Sequence, residues 1–148
     1  MSLKDKINID LKESMKSGDK VRLTTIRSIR ALILEFEKSG ANREQTSEEE
    51  LSLLTSAAKK RKESIAQFRN AGRDDLADKE EIELQIINEY LPKQLTEEEL
   101  ITQITSIAND IGAKDKSDFS KLMQLAIKNF KGQADGKKIK EIVEKILN

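Results

Sequence analysis

The chain has 148 residues with 27 basic and 27 acidic side chains, a net charge of zero, and contains no Cys, His or Trp. These absences exclude a disulfide framework, zinc–thiolate and iron–sulfur sites, a thiol nucleophile and any triad built on imidazole. Leu, Ile, Val and Phe together make up 39 residues, more than a disordered chain carries, so a folded core is expected.

Six glycines and the single proline, Pro92, cut the chain into helix-sized pieces. Between them apolar residues recur at three and four positions, the helical period. The first helix is predicted from about Leu3 to Lys16, with Ser2 as cap and Leu3, Ile7, Leu11 and Met15 on its apolar stripe; Gly18 follows it. The second spans about Lys20 to Lys38 and carries Val21, Ile29, Leu32, Ile33 and Phe36. A polar loop covers Gly40 to Thr46. The third helix opens at Ser47-Glu48-Glu49-Glu50, read as a capping box in which Ser and the third acid satisfy each other's amides. It carries Leu51, Leu54, Ala58, Ile65 and Phe68 and stops near Gly72. The fourth begins near Asp74, carries Leu76, Leu84, Ile87, Tyr90 and Leu91, and is ended by Pro92.

After Pro92 a second capping box, Thr96-Glu97-Glu98-Glu99, opens a fifth helix with Leu100, Ile104, Ile107 and Ile111, closed by Gly112. Ser117 is expected to cap a sixth, carrying Phe119, Leu122, Met123, Ala126 and Ile127. A seventh starts at Asp135 with Ile139, Ile142, Val143 and Ile146. No alternating strand pattern is present. The expected fold is all-α: an N-terminal four-helix domain over residues 1–91, then a small three-helix C-terminal domain over 93–148, joined by a hinge at Leu91–Leu95. Residues 1–111 hold 18 basic and 22 acidic side chains, whereas 112–148 hold 9 and 5, so a neutral whole carries a basic tail. No apolar run is long enough to cross a bilayer, and Met1–Lys6 lacks the apolar stretch expected of a secretory signal. A cytoplasmic protein with no membrane partner is expected.

Four groups stand out as candidate sites. Lys59, Lys62 and Arg69 fall on one stripe of the third helix, extended by Arg73 beyond Gly72; the stripe reads as a phosphate-contacting ridge or as a solvated face covering the core edge. Arg61 projects into the apolar side, and Glu80 and Glu83 lie on the core side of the fourth helix. Because a guanidinium is not left unpaired in a core, a structural ion pair of Arg61 with Glu83 or Glu80 is expected. The run Lys131-Gly132-Gln133-Ala134-Asp135-Gly136-Lys137-Lys138 places a glycine turn and lysines at a helix start, a natural anion site. It is one residue short of a nucleotide-binding loop, lacks the Ser or Thr for magnesium and follows a helix, not a strand. The acidic triplets Glu48–Glu50 and Glu97–Glu99 suit helix first turns and do not make a metal cluster. No catalytic residue, metal site or cofactor is expected.

Taken in order, Lys59-x-Arg61-Lys62-x-Ser64-Ile65-x-x-Phe68, Ala71-Gly72-Arg73-x-Asp75-Leu76, Tyr90-Leu91-Pro92-x-Gln94-Leu95, Gly112-Ala113, Asp118, Lys121-x-Met123 and Lys131-Gly132-x-Ala134-Asp135-Gly136 resemble the small bacterial YqeY proteins. The resemblance covers nearly the whole chain. It implies kinship with the C-terminal helical and tail regions of GatB, a subunit of the tRNA-dependent amidotransferase that uses glutamine as nitrogen donor. On that resemblance residues 93–148 match the tail that touches tRNA, with Lys121, Lys131 and Gly132 on its motif. The catalytic parts of GatB have no counterpart here. The tail usually carries Asn-Pro where this chain has Asp135-Gly136. The function this implies is a non-catalytic helical accessory protein binding tRNA or other structured RNA through Lys121, Lys128, Lys131, Lys137 and Lys138. An amidotransferase or aminoacyl-tRNA synthetase component is a further expected partner. The alternatives are a protein adaptor without RNA binding and an enzyme using Lys and Glu groups.

Overall fold

The computed structural model describes residues 1–41 and 43–148, residue 41 by its backbone alone. Among the described residues there are seven α-helices and no strand: α1 (Leu3–Ser17), α2 (Lys20–Phe36), α3 (Ser47–Asn70), α4 (Asp74–Asn88), α5 (Glu97–Ile111), α6 (Phe119–Phe130) and α7 (Gly136–Ile146). The chain divides into two compact units, Met1–Leu91 and Pro92–Asn148.

In the first unit α1 packs on α2, and α3 packs on α4 as a helical hairpin turning at Gly72, whose φ of +72° suits the left-handed residue that ends a helix. Ser2 caps α1 and forms a capping box with Asp5. The buried stripe of α1 is Leu3, Ile7 and Ser14, not Met15, which is 52% exposed. Steps of four advance 40° beyond a full turn, so three such steps carry Met15 about 120° from Leu3 and bring Ser14 into line instead. The core centres on Ile7, Ile26, Ile29 and Ile87, each fully buried. Beyond Phe36 the helix widens into a single π-type turn, Glu37–Ala41. The cap of α3 is Thr46, in a box with Glu49, one residue earlier than the Ser47–Glu50 pairing. Glu50 is thereby released to accept a hydrogen bond from the Leu3 amide at 2.7 Å. One carboxylate therefore lies at the positive end of α1 as well as in the first turn of α3.

The second unit has an entirely apolar buried set. Leu100, Ile104 and Ala108 of α5, Leu122, Ala126 and Phe130 of α6, and Ile139, Ile142 and Val143 of α7 meet with Leu147. Thr96 and Glu99 form the capping box of α5. Ser117 does not cap the sixth helix: Asp115 accepts the Ser117 amide, opens a short 3₁₀ turn over Lys116–Asp118, and α6 begins at Phe119. Asp135 caps α7 by accepting the Lys137 amide at 3.1 Å.

Candidate nucleic-acid interface

The loop between α6 and α7 is pinned from the segment after Pro92. The Gln94 side-chain amide donates to Gly132 O at 2.6 Å and to Pro92 O at 2.9 Å. The Leu95 amide donates to Gln133 O at 2.9 Å, and the Gln133 side chain reaches back to Lys93 O at 3.4 Å. Gly132 is buried at φ +81°, where a side chain would be strained. Gln94 and Leu95 thus belong to the second unit's own hydrogen-bond structure and are not a free linker. The consequence is a fixed backbone turn that places Lys131 at its entrance and Lys137 at its exit, both exposed.

On α6, Lys121 and Lys128 are seven residues apart, so they share a stripe within about 20° and stand about 10 Å apart along the axis. Both are exposed, on the side away from Leu122, Ala126 and Phe130. Lys138 is held differently: its Nζ lies 3.1 Å from Glu97 and 3.8 Å from Glu141. That pairing exposes a feature of the charge distribution that the sequence halves conceal. The basic stretch 112–148 shares its unit with the acidic α5, and Pro92–Asn148 as a whole carries ten basic and nine acidic side chains. Its positive character is local to α6, α7 and the turn between them.

On α3, Lys59 and Lys62 are exposed. Arg69 is engaged by three carboxylates of α4, Asp74 at 3.1 Å and Asp78 and Glu81 at 3.0 Å, which hold its guanidinium further into the charged state. Arg73 pairs with Asp75 at 3.2 Å, and the Asp75 carboxyl is lowered in return. An anion approaching this end of the stripe would compete with carboxylates already in place. Arg61 lies between α3 and α4, with Nε 3.0 Å from Glu83 and 3.4 Å from Glu80. Glu83 is 8% exposed. Burial, then the neighbouring Glu83 charge, pushes the Glu80 carboxyl above its ordinary value. Two carboxylates share one guanidinium there, in an arrangement suited to holding helices together.

Sequence reasoning missed a second polar junction. The Tyr90 hydroxyl donates to Asp10 of α1, and next to it Arg22 pairs with Glu89 at 2.6 Å. Burial, then Asp10, pushes the Tyr90 phenol up. The signal available was only that the chain's single tyrosine stands beside a charged residue; its hydrogen-bond partner lies 80 residues away. Among the described residues no group of three or more acidic side chains is placed to hold a metal ion, and no helix is long and apolar enough to cross a membrane.

A small all-α chain of two compact helical units, with a lysine-bearing turn in the second, is the class these features define. The chain belongs to the YqeY family: the family model described as Yqey-like protein matches residues 4–147. It is 32% identical over 144 residues to altered inheritance of mitochondria protein 41, mitochondrial, of Pyrenophora tritici-repentis, covering 93% of this chain and 79% of that protein. It is 34% identical to the Clavispora lusitaniae protein of the same name, over 77% of this chain and 67% of that one. A Schizosaccharomyces pombe protein described as uncharacterized is 37% identical over 56% of this chain and 67% of its own length. These relatives overturn the cytoplasmic expectation, because the proteins matched over most of the chain are named mitochondrial. The expectation rested on finding neither a membrane-spanning run nor the apolar stretch of a secretory signal in the sequence, a pattern that does not separate one aqueous compartment from another.

Proposed function

We propose that this YqeY-family protein is a non-catalytic accessory protein that binds tRNA, and that it acts beside a tRNA-dependent amidotransferase. The observation that carries this reading is the lysine pair Lys121 and Lys128 on one stripe of α6, followed by a turn whose backbone is pinned through Gln94. Folded RNA presents phosphates on a fixed surface, and a preformed row of cations meets them without an ordering cost. The resemblance of residues 93–148 to the GatB tail supports the same region and the same class of ligand. With one tyrosine and four phenylalanines in the chain, recognition by base stacking has little material to use, so shape and backbone contact are the expected mode. In this reading residues 1–91 form the four-helix companion domain, residues 93–148 form the three-helix RNA-binding domain, and chemistry belongs to the partner enzyme.

The test is a salt-titrated tRNA binding curve for the native chain and for Lys121→Glu/Lys131→Glu. The expected result is roughly a tenfold loss of affinity at low salt, with the slope of log K against log salt reduced by about two. Equal affinity and slope for the two proteins would remove the proposal.

A further inference from the structure

Seven arginines are present. Arg22, Arg43, Arg61, Arg69 and Arg73 each lie against a carboxylate of the same chain. Arg27 and Arg30 have no such partner among the described residues, and both are exposed. They stand three residues apart on α2: Arg27 points away from the buried Ile26, Ile29 and Ile33, and Arg30 lies at the edge of that buried face. Residues at i and i+3 are neighbours on a helix surface, about 4.5 Å apart along the axis. Lys20, also exposed, continues the row about 10 Å further back. Helix α2 carries four basic side chains and one acidic one, Glu35, which lies toward the other edge of this face.

Two leucines give this surface a second character. Leu23 and Leu34 share the stripe of the arginine pair, one turn before Arg27 and one turn after Arg30, and are only half-buried. Neither is among the side chains packed against the first unit's core. Thr24 and Ala31, the neighbours toward the middle of the face, are short enough to let another backbone come close.

We propose that this face of α2 docks an acidic amphipathic helix of a partner protein. Guanidinium groups one turn apart match carboxylates one turn apart, and each fork can donate to both oxygens of a carboxylate. The leucines identify the occupant. A nucleic-acid backbone offers nothing apolar to cover them, whereas a helix with leucines beside its glutamates buries both kinds of group at once. The inference is independent of the tRNA reading, since it concerns a different unit and different residues.

The experiment uses the full chain and a synthetic amphipathic helix with glutamates at i, i+3 and i+7 and leucines beside them. Binding is read by fluorescence anisotropy, and contact by the NMR signals of the Arg27 and Arg30 side-chain N–H groups. The expected result is saturable binding that moves both signals. Affinity should fall about tenfold in Arg27→Glu/Arg30→Glu and less in Arg27→Gln/Arg30→Gln. The charge-reversed protein should instead take up the same helix made with lysines. Circular dichroism of each variant checks that the helices are retained. Unmoved arginine signals would overturn the proposal, as would an equal loss from Lys59→Glu/Lys62→Glu on α3. So would labelled tRNA moving those signals while the peptide does not, which would make the face a nucleic-acid contact.

Discussion

The two units dispose of their charge in opposite ways. In the first, five of the seven guanidinium groups are engaged by carboxylates of the same unit: Arg61 sits between α3 and α4 with Glu83 and Glu80, Arg69 is ringed by Asp74, Asp78 and Glu81, Arg22 meets Glu89, Arg43 meets Glu49 and Arg73 meets Asp75. In the second, the buried set is purely apolar, and the lysines of α6 stay on the outer side. The contrast follows from the helices. A pair as long as α3 and α4 has several ways to slide past itself, and a buried ion pair rewards one register. Three helices of 11–15 residues around isoleucines and a phenylalanine reach one packing through shape alone.

The sharpest way to break this comparison is to remove shape from the second unit. Ile104 is fully buried in α5. Ile104→Ala is expected to cost about 3 kcal/mol, the transfer loss plus the cavity left behind. If the units fold separately, the loss is confined to the second. Tyr90, the chain's single tyrosine, and with no tryptophan present, gives an optical probe that lies in the first unit. Thermal unfolding followed by tyrosine absorbance should keep its midpoint, while helical circular dichroism gains an earlier transition. A common shift of both signals would show one cooperative body.

Removing charge from the first unit should cost somewhat less. Arg61→Leu leaves Glu83 without its counter-ion, and about 2–3 kcal/mol is expected; this lies below the fully buried case because the guanidinium is 24% exposed. Arg61→Leu with Glu83→Leu should recover part of that loss, a coupling that a double-mutant cycle measures. Glu80 adds a pH dependence of known sign. Its carboxyl is raised, so the folded state holds a proton that the unfolded chain releases near 4.5. Stability from this source is greatest below that pH and falls as pH rises through the raised value. Glu80→Gln should flatten the decline of the thermal midpoint between pH 4.5 and neutrality; an unchanged slope would place the proton elsewhere.

What the amino-acid sequence reveals here is whatever depends on near neighbours. Thr96 with Glu99, and Asp135 before α7, are readable as caps because both partners lie within three residues. At α3, Thr46 and Ser47 are equally able to cap, and the choice between them depends on Glu50 being drawn to Leu3, a partner 47 residues away. Met15 fails as a core residue because a stripe counted in fours drifts off the buried face. The candidate site divides in the same manner. The shared angle of Lys121 and Lys128 follows from their spacing, but the pairing of Lys138 with Glu97 and the three carboxylates around Arg69 come from other helices. Free and occupied cations look alike until the chain is folded.

The smallest effect on stability is expected where the second unit relies on hydrogen bonds instead of packing. Gln94→Ala removes the donor to Gly132 O and Pro92 O but no buried apolar surface. About 1 kcal/mol is expected, the ordinary net value of such a bond and the carbonyl it leaves behind. The local effect should exceed the global one. With its side-chain tether gone, the turn keeps the Leu95 amide bond to Gln133 O as its backbone link to this segment. Hydrogen exchange at Leu95 and at residues 131–134 should therefore accelerate well beyond that of α5 and α6 amides. Gln103→Ala, on the exposed side of α5, is the control and should change neither quantity. Exchange at the turn that matches the control would mean that the apolar core alone fixes this loop, which would extend to the lysine-bearing turn the rule that governs the rest of its unit.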